Sequence, residues 1–150
     1  MTDCSPLVGI VLVAHGRLAL EMKAAAESIV RPMESFQAVE VPPNMQLYRI
    51  RARIGKAIAA VDGGAGVLVL TDLFGGTPTN MCLSFLDEGK VDVLSGVTLP
   101  MLMKISTSRQ GKKLTELSRL LRDYGRRHIV AASEVLGRGG REPRPEVRPS

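Results

Sequence analysis

The chain has 150 residues, the length of one ordinary domain, and 45% of them are hydrophobic, enough for a substantial core. Aromatics make up 3% and Trp is absent, so that core must come from Val, Leu, Ile, Ala and Met. The formal charge of +5 invites a nucleic-acid partner, but four arginines (Arg138, Arg141, Arg144, Arg148) crowd the last stretch and no aromatics interleave with the cations for base stacking, so none is expected.

LVGIVLVA (7–14) is a short, near-continuous apolar run, as expected of a strand covered on both faces. It ends on His15-Gly16. The start of the chain lacks a basic n-region, and no apolar run approaches the roughly 20 residues that span a bilayer. A cytoplasmic protein without direct membrane insertion is therefore expected. Leu18, Met22, Ala25/Ala26 and Ile29 recur at three- and four-residue steps and predict a helix over about 17–30. FQAVEV (36–41) predicts a second strand, stopped by Pro42-Pro43. Asn44 is placed to cap a helix whose inward residues are Leu47, Ile50, Ile54, Ile58 and Val61, with Arg49, Arg51, Arg53 and Lys56 mostly outward. Asp62-Gly-Gly ends it.

VLVLT (67–71) predicts the third strand and runs into Asp72. Gly75-Gly76 follow, then Thr77 as an N-cap and Pro78 in the first turn of a helix to about Phe85. VDVLSG (91–96) predicts a fourth strand, and Pro100 opens the apolar segment MLMKI. Leu114, Leu117, Leu120/Leu121 and Tyr124 mark a helix over about 111–127. HIVAASEVL (128–136) either prolongs that helix or forms a fifth strand; periodicity fits both. GRGGREPRPEVRPS (137–150) reads as a disordered tail, which leaves residues 1–136 as the domain. The alternation of buried strands and helices predicts an α/β, three-layer open sheet of parallel strands.

In such sheets chemistry gathers at the carboxyl ends of the strands. His15 ends strand 1 and Asp72 ends strand 3. If these strands are neighbours, the carboxylate takes one ring N–H and presents the other ring nitrogen as a nucleophile. Gly16, Gly75 and Gly76 let backbone amides approach a ligand closely, and the helix after Thr77 points its positive end at the same rim, so a phosphoryl group is the expected guest. The bland readings are a turn histidine and a capping acid. Elsewhere, His128 is expected at a helix end, Asp87-Glu88 in a solvated loop, and Cys4 and Cys82 as reduced structural thiols. Two histidines without an acidic cluster predict no metal site, and no cofactor motif is present, the chain lacking both a P-loop and a true G-x-G-x-x-G. A nucleotide- or flavin-binding domain is a rival, with Glu40 as its weak ribose-binding acid.

AHGRLA (14–19), TDLFGGTPTNM (71–81) and SGVTLPMLMK (95–104) resemble the IIA component of the mannose family of the bacterial sugar phosphotransferase system, over about residues 7–135. The resemblance implies a phosphotransferase with a phosphohistidine intermediate. A small carrier protein, HPr, donates the phosphoryl group and a IIB protein accepts it. His15 matches the phosphorylated histidine, Asp72 the acid that hydrogen-bonds it, and Gly75-Gly76-Thr77 the phosphate-facing turn. It also implies four parallel strands plus an antiparallel fifth exchanged in a homodimer, which would be residues 128–136. Ala14 stands where members often carry Ser or Thr, and Phe74 where some carry Trp. The alternative role is a stand-alone regulatory phosphorelay module, whose partner binding depends on His15 phosphorylation without sugar transport.

Overall fold

A computed structural model describes residues 5–137; Cys4 and the segment expected to form a tail from 138 onward lie outside the described residues. Strands β1 (Gly9–His15), β2 (Phe36–Val41), β3 (Val67–Thr71) and β4 (Val91–Ser95) form one sheet in the order β2-β1-β3-β4. Every neighbouring pair is parallel. The helices are α1 (Leu18–Ile29), α2 (Leu47–Val61), α3 (Thr77–Leu83), α4 (Leu99–Ser108), α5 (Leu114–Arg127) and the single turn α6 (Ala132–Val135).

The period of two along β1 makes the three layers. Ile10, Leu12 and Ala14 face a core with α1, α4 and α5; Val11 and Val13 face a second core with α2 and Cys82 of α3. Every residue from Ile10 to Ala14 is fully buried, as are Leu68 and Leu70 of β3. Each fully buried Leu, Ile or Val side chain contributes about 1.5–3 kcal/mol. The central pair β1–β3 is therefore the firmest part of the molecule, and it places the candidate residues His15 and Asp72 at or just past its carboxyl end. The edge strand β4 is only half-buried along its length.

Several local expectations shift. In α1 the buried residues are Ala19 and Ala26, while Leu18 and Ile29 are exposed. Apolar residues at adjacent steps left that helix's rotation open, and the close approach of the sheet selected its small side chains. Helix α2 starts at Leu47, with Gln46 as its N-cap, rather than from a cap at Asn44. Asn44 instead takes φ +67 in the turn after the two prolines, a conformation asparagine tolerates better than most residues. Leu47, expected to face inward, is consequently exposed, and Ala57 joins Ile50, Ile54 and Val61 in the core. Residues 128–136 neither prolong α5 nor form a strand in the single chain: His128 closes α5, and α6 follows after three irregular residues. Among the described residues no helix is long and apolar enough to cross a membrane.

Candidate functional site

The pairing of β1 with β3 runs in register to Val13 opposite Thr71. His15 thus lies two residues past the last ladder pair and Asp72 one residue past it, side by side. The His15 backbone N–H, without a strand partner on that side, donates to Asp72 Oδ2 at 3.1 Å. The ring meets the same oxygen, with Nδ1 2.7 Å from Oδ2. Asp72 Oδ1 accepts from the Leu73 amide at 2.9 Å. Burial pushes the Asp72 pKa up, but the bonds from the His15 ring, the His15 amide and the Leu73 amide outweigh it and hold the carboxyl below its ordinary value. An ionised carboxylate only accepts hydrogen bonds, so Nδ1 carries the proton, and in the neutral ring Nε2 is the bare nitrogen. The His15 side chain is 49% exposed and that of Asp72 only 11%. The imidazole is accessible while the carboxylate bonded to it is sheltered.

Of the three glycines only Gly76 packs on this ring, and the Gly16 amide, expected to face a ligand, is bonded within the chain instead. Gly16 has φ +57 and exchanges both backbone bonds with Val41, its N–H donating at 2.8 Å and its C=O accepting at 3.3 Å. The chain is thereby pinned immediately after His15. Gly76 packs against the imidazole itself. A methyl group there would lie 2.9 Å from His15 Cε1 and 3.3 Å from Nε2. Gly75 has φ +91 in the open turn before it. Thr77 is exposed but is the first residue of α3 rather than its cap; the cap is Gly76, whose carbonyl receives the Asn80 amide at 2.9 Å. The helix thus starts one residue earlier than expected, and the residue that caps it is also the one that packs on the ring. Pro78 then removes one of the first-turn donors that would otherwise need a partner.

One contributor escaped the sequence reading. Thr79 is fully buried, and its hydroxyl donates to the Leu73 carbonyl. The same oxygen lies 3.0 Å from Thr71 Oγ1, which lies 2.9 Å from Ser95 Oγ. This line of hydroxyls ties the Leu73 loop to the ends of β3 and β4. The signal was present in two strands that both close on a hydroxyl residue: Thr71 and Ser95 are register partners.

The remaining candidates lie elsewhere. His128 is stacked on Tyr124 with ring centroids 3.7 Å apart, and its Nδ1 lies 2.7 Å from the Tyr124 carbonyl, closing α5. Cys82 is buried in α3; burial, aided by the Asp72 charge, pushes its thiol up to about 12. Glu40 sits in the edge strand β2, with Arg53 donating to its backbone carbonyl at 3.2 Å. Among the described residues no three His, Cys, Asp or Glu side chains gather in a group able to hold a metal ion.

The rim is also apolar. In a parallel sheet the helices begin at the carboxyl ends of the strands they follow. Leu18 opens α1, Leu47 and Tyr48 open α2, and Leu73 and Phe74 form the loop after β3; all five are exposed, Tyr48 at 69% and Phe74 at 76%. Half of the large apolar side chains exposed among the described residues thus stand at the end that holds His15. A surface of this kind is suited to another protein rather than to a small polar molecule.

Comparison with known proteins agrees with this geometry. A family model described as PTS system fructose IIA component matches residues 9–121. The chain is 28% identical over 136 residues to the sorbose-specific EIIA component of Lacticaseibacillus casei, covering 89% of this chain and 96% of that protein. It is 25% identical over 131 residues to the fructose-specific EIIA component of Bacillus subtilis, covering 87% and 90%. A crystal structure of a phosphotransferase system component EIIA from Streptococcus agalactiae superposes with a TM-score of 0.76 at 27% identity, over 85% of this chain and 98% of that one.

Proposed function

The chain belongs to the EIIA-man family of phosphotransferase-system IIA components, and from that premise we propose that it carries a phosphoryl group on His15 Nε2, accepted from phospho-HPr and passed to a IIB protein. The observation that supports this reading is the 2.7 Å contact between Nδ1 and Asp72 Oδ2, which in the neutral ring puts the proton on Nδ1 and the lone pair on Nε2 of a half-exposed side chain.

The step needs little else. The Nε2 lone pair attacks phosphorus in line with the donor's N–P bond; the new N–P bond forms as the old one breaks, and the donor imidazole takes back its electron pair. The His15 ring becomes a phosphorylated imidazolium, and the ionised Asp72 stabilises the cation through Nδ1–H. The backbone around Gly75, Gly76 and Thr77 offers amides to the phosphoryl oxygens, with Gly76 leaving room beside Nε2, whereas the Gly16 amide expected to join them is already given to the Val41 carbonyl. Return transfer to IIB uses the same geometry in reverse. The two relatives named above are labelled for different sugars, sorbose and fructose, so the family sets the carrier step and leaves the sugar to the acceptor.

In this reading the protein works in the cytoplasm, residues 1–136 are the carrier domain and 137–150 an appended tail. It works as a homodimer in which 128–136 crosses to the neighbour as a fifth, antiparallel strand. The support is the unpaired outer edge of β4 together with the exposure of Ile129, Val130 and Leu136. Incubation with radiolabelled phospho-HPr tests the central claim: the wild type should take up acid-labile, base-stable label and His15→Ala none. Equal labelling of that variant excludes His15 as the carrier. Sedimentation equilibrium should return twice the chain mass, and a monomer would remove the exchanged strand.

A further inference from the structure

Arg17 stands two residues past His15, at the N-cap of α1, with its carbonyl accepting the Glu21 amide at 3.1 Å. That placement does not favour the helix. A cation there meets the positive end of the helix dipole. Arg17 also makes no side-chain bond to the first-turn amides, as a Ser, Thr, Asp or Asn cap would. Its ion-pair partner is Glu21, with Nη2 3.6 Å from Oε1 and both side chains 67% exposed. This is beyond hydrogen-bond length and open to screening. The other pair of the same spacing on α1, Lys23 with Glu27, closes to 2.7 Å and is more sheltered. Arg17 is thus loosely held, in a position that local helix stability disfavours.

The neighbouring site lacks what Arg17 offers. Asp72 is held ionised, and a phosphoryl group on Nε2 adds about 1.5 to 2 further negative charges. The positive charge of the phosphorylated ring is bonded to Asp72 through Nδ1, and the amides around Gly75, Gly76 and Thr77 are uncharged. Gly16, bonded both ways to Val41, fixes the step from His15 to Arg17. Two residues apart, the Cα atoms of His15 and Arg17 lie within about 7 Å of each other, a distance that an extended arginine side chain spans. A guanidinium matches two phosphoryl oxygens at once, a stronger contact than its loose approach to Glu21. We propose that Arg17 is the phosphoryl-binding cation of this site: it leaves Glu21 when His15 is phosphorylated and donates to two phosphoryl oxygens. This rests on the reading of His15 as the carrier. Glu21 holds the guanidinium in the unmodified protein, and the exchange of partners sets how tightly the protein keeps its phosphoryl group relative to the donor.

The test compares the wild type with Arg17→Gln, Arg17→Lys and Glu21→Gln in the full chain. Lys56→Gln, which removes an exposed cation from α2, is the control for net charge. Each protein is phosphorylated by phospho-HPr and, separately, by phosphoramidate, which needs no protein contact. Two quantities are read: the phosphorylation equilibrium against HPr, and the pH titration of the phosphoryl group by phosphorus NMR. Arg17→Gln should lower the equilibrium constant about 3- to 10-fold. It should also raise the pH at which the phosphoryl group takes its last proton, because the dianion has lost a cation. Arg17→Lys keeps the charge without the fork and should recover part of both. Glu21→Gln frees the guanidinium and should raise the equilibrium constant about twofold. The control should match the wild type. An unmoved phosphorus titration in Arg17→Gln overturns the proposal, whether or not the equilibrium shifts, since a disturbed helix start or a weakened protein encounter leaves that titration alone. An equal shift in Lys56→Gln overturns it as well, by tracing the effect to net charge. Failure of the carrier reading looks different: the wild type then shows no phosphohistidine resonance with either donor, and the role of Arg17 falls with it.

Discussion

The two ends of the sheet hold their polar groups in opposite ways. At the carboxyl end the ionisable pair is half open to water, the connections are glycine turns, and Leu73 and Phe74 project outward. At the amino end Arg109 is buried, only 5% exposed, and no carboxylate pairs with it among the described residues. Its guanidinium donates to three backbone carbonyls instead: Val8 just before β1, and Glu34 and Ser35 just before β2. Burial lowers its pKa to about 10, with the nearby Glu34 charge acting the other way. Arg109 follows directly on α4, so a single side chain fastens that helix to two strand entrances. It also bonds the carbonyl of Ser35, which holds a left-handed φ of +48. One end of the protein is fastened for stability and the other is left reachable for chemistry, which one firm central strand pair between them makes possible.

Substitutions at each end should separate the two roles. The largest expected effect is at Arg109. Arg109→Met keeps the apolar stem but leaves three carbonyls without their donor, at a cost of about 3 kcal/mol or more. Urea unfolding should show that loss while phosphotransfer per folded molecule stays at wild-type level; a fall in transfer would mean the two ends are coupled. Next, Gly76→Ala should displace the imidazole, since its Cβ would lie 2.9 Å from Cε1. Steady-state transfer should fall about 10- to 100-fold with little change in the unfolding midpoint. Thr79→Val removes the buried hydroxyl beneath the Leu73 loop and should cost about 1–2 kcal/mol, read by the same unfolding curve. The smallest effect is electrostatic. The folded-state pKa of Asp72 lies below its ordinary 3.8. Its contribution to stability is therefore complete above that value and is lost as the pH falls through the lower, folded-state one. Asp72→Asn should flatten the acid limb of the stability curve in that window; an unchanged limb would show that the carboxylate gains nothing from its three donors.

Much of the reachable end was legible in the sequence. VLVAH and VLVLT declare strands by composition alone, and both close on a polar residue, so parallel pairing was enough to bring His15 to Asp72. The cap of α3 falls on Gly76 rather than Thr77, although Thr is the better capping residue, and the packing of Gly76 on the ring joins residues distant in sequence. Thr79 went unread for a related reason: the short helix that buries it has no clear apolar stripe. The fastened end was almost invisible. Arg109 sits in STSRQGKK, a stretch that reads as solvated surface, and its bond to Val8 spans 101 positions. Nothing local signals that a cation will be drawn in by carbonyls left open where strands begin. The stretch 128–136 stayed ambiguous because its apolar residues fit either periodicity; among the described residues Ile129, Val130 and Leu136 are exposed and only the single turn of α6 forms.

The buried thiol of α3 has a practical corollary. At neutral pH Cys82 is both protonated and screened from solvent, so alkylating reagents can modify it only when the segment behind the glycine turn lifts away. Its labelling rate, read by peptide mapping so that Cys4 is scored separately, is therefore a built-in clock for local opening, and a phosphorylated sample can be timed against an unmodified one without introducing any probe.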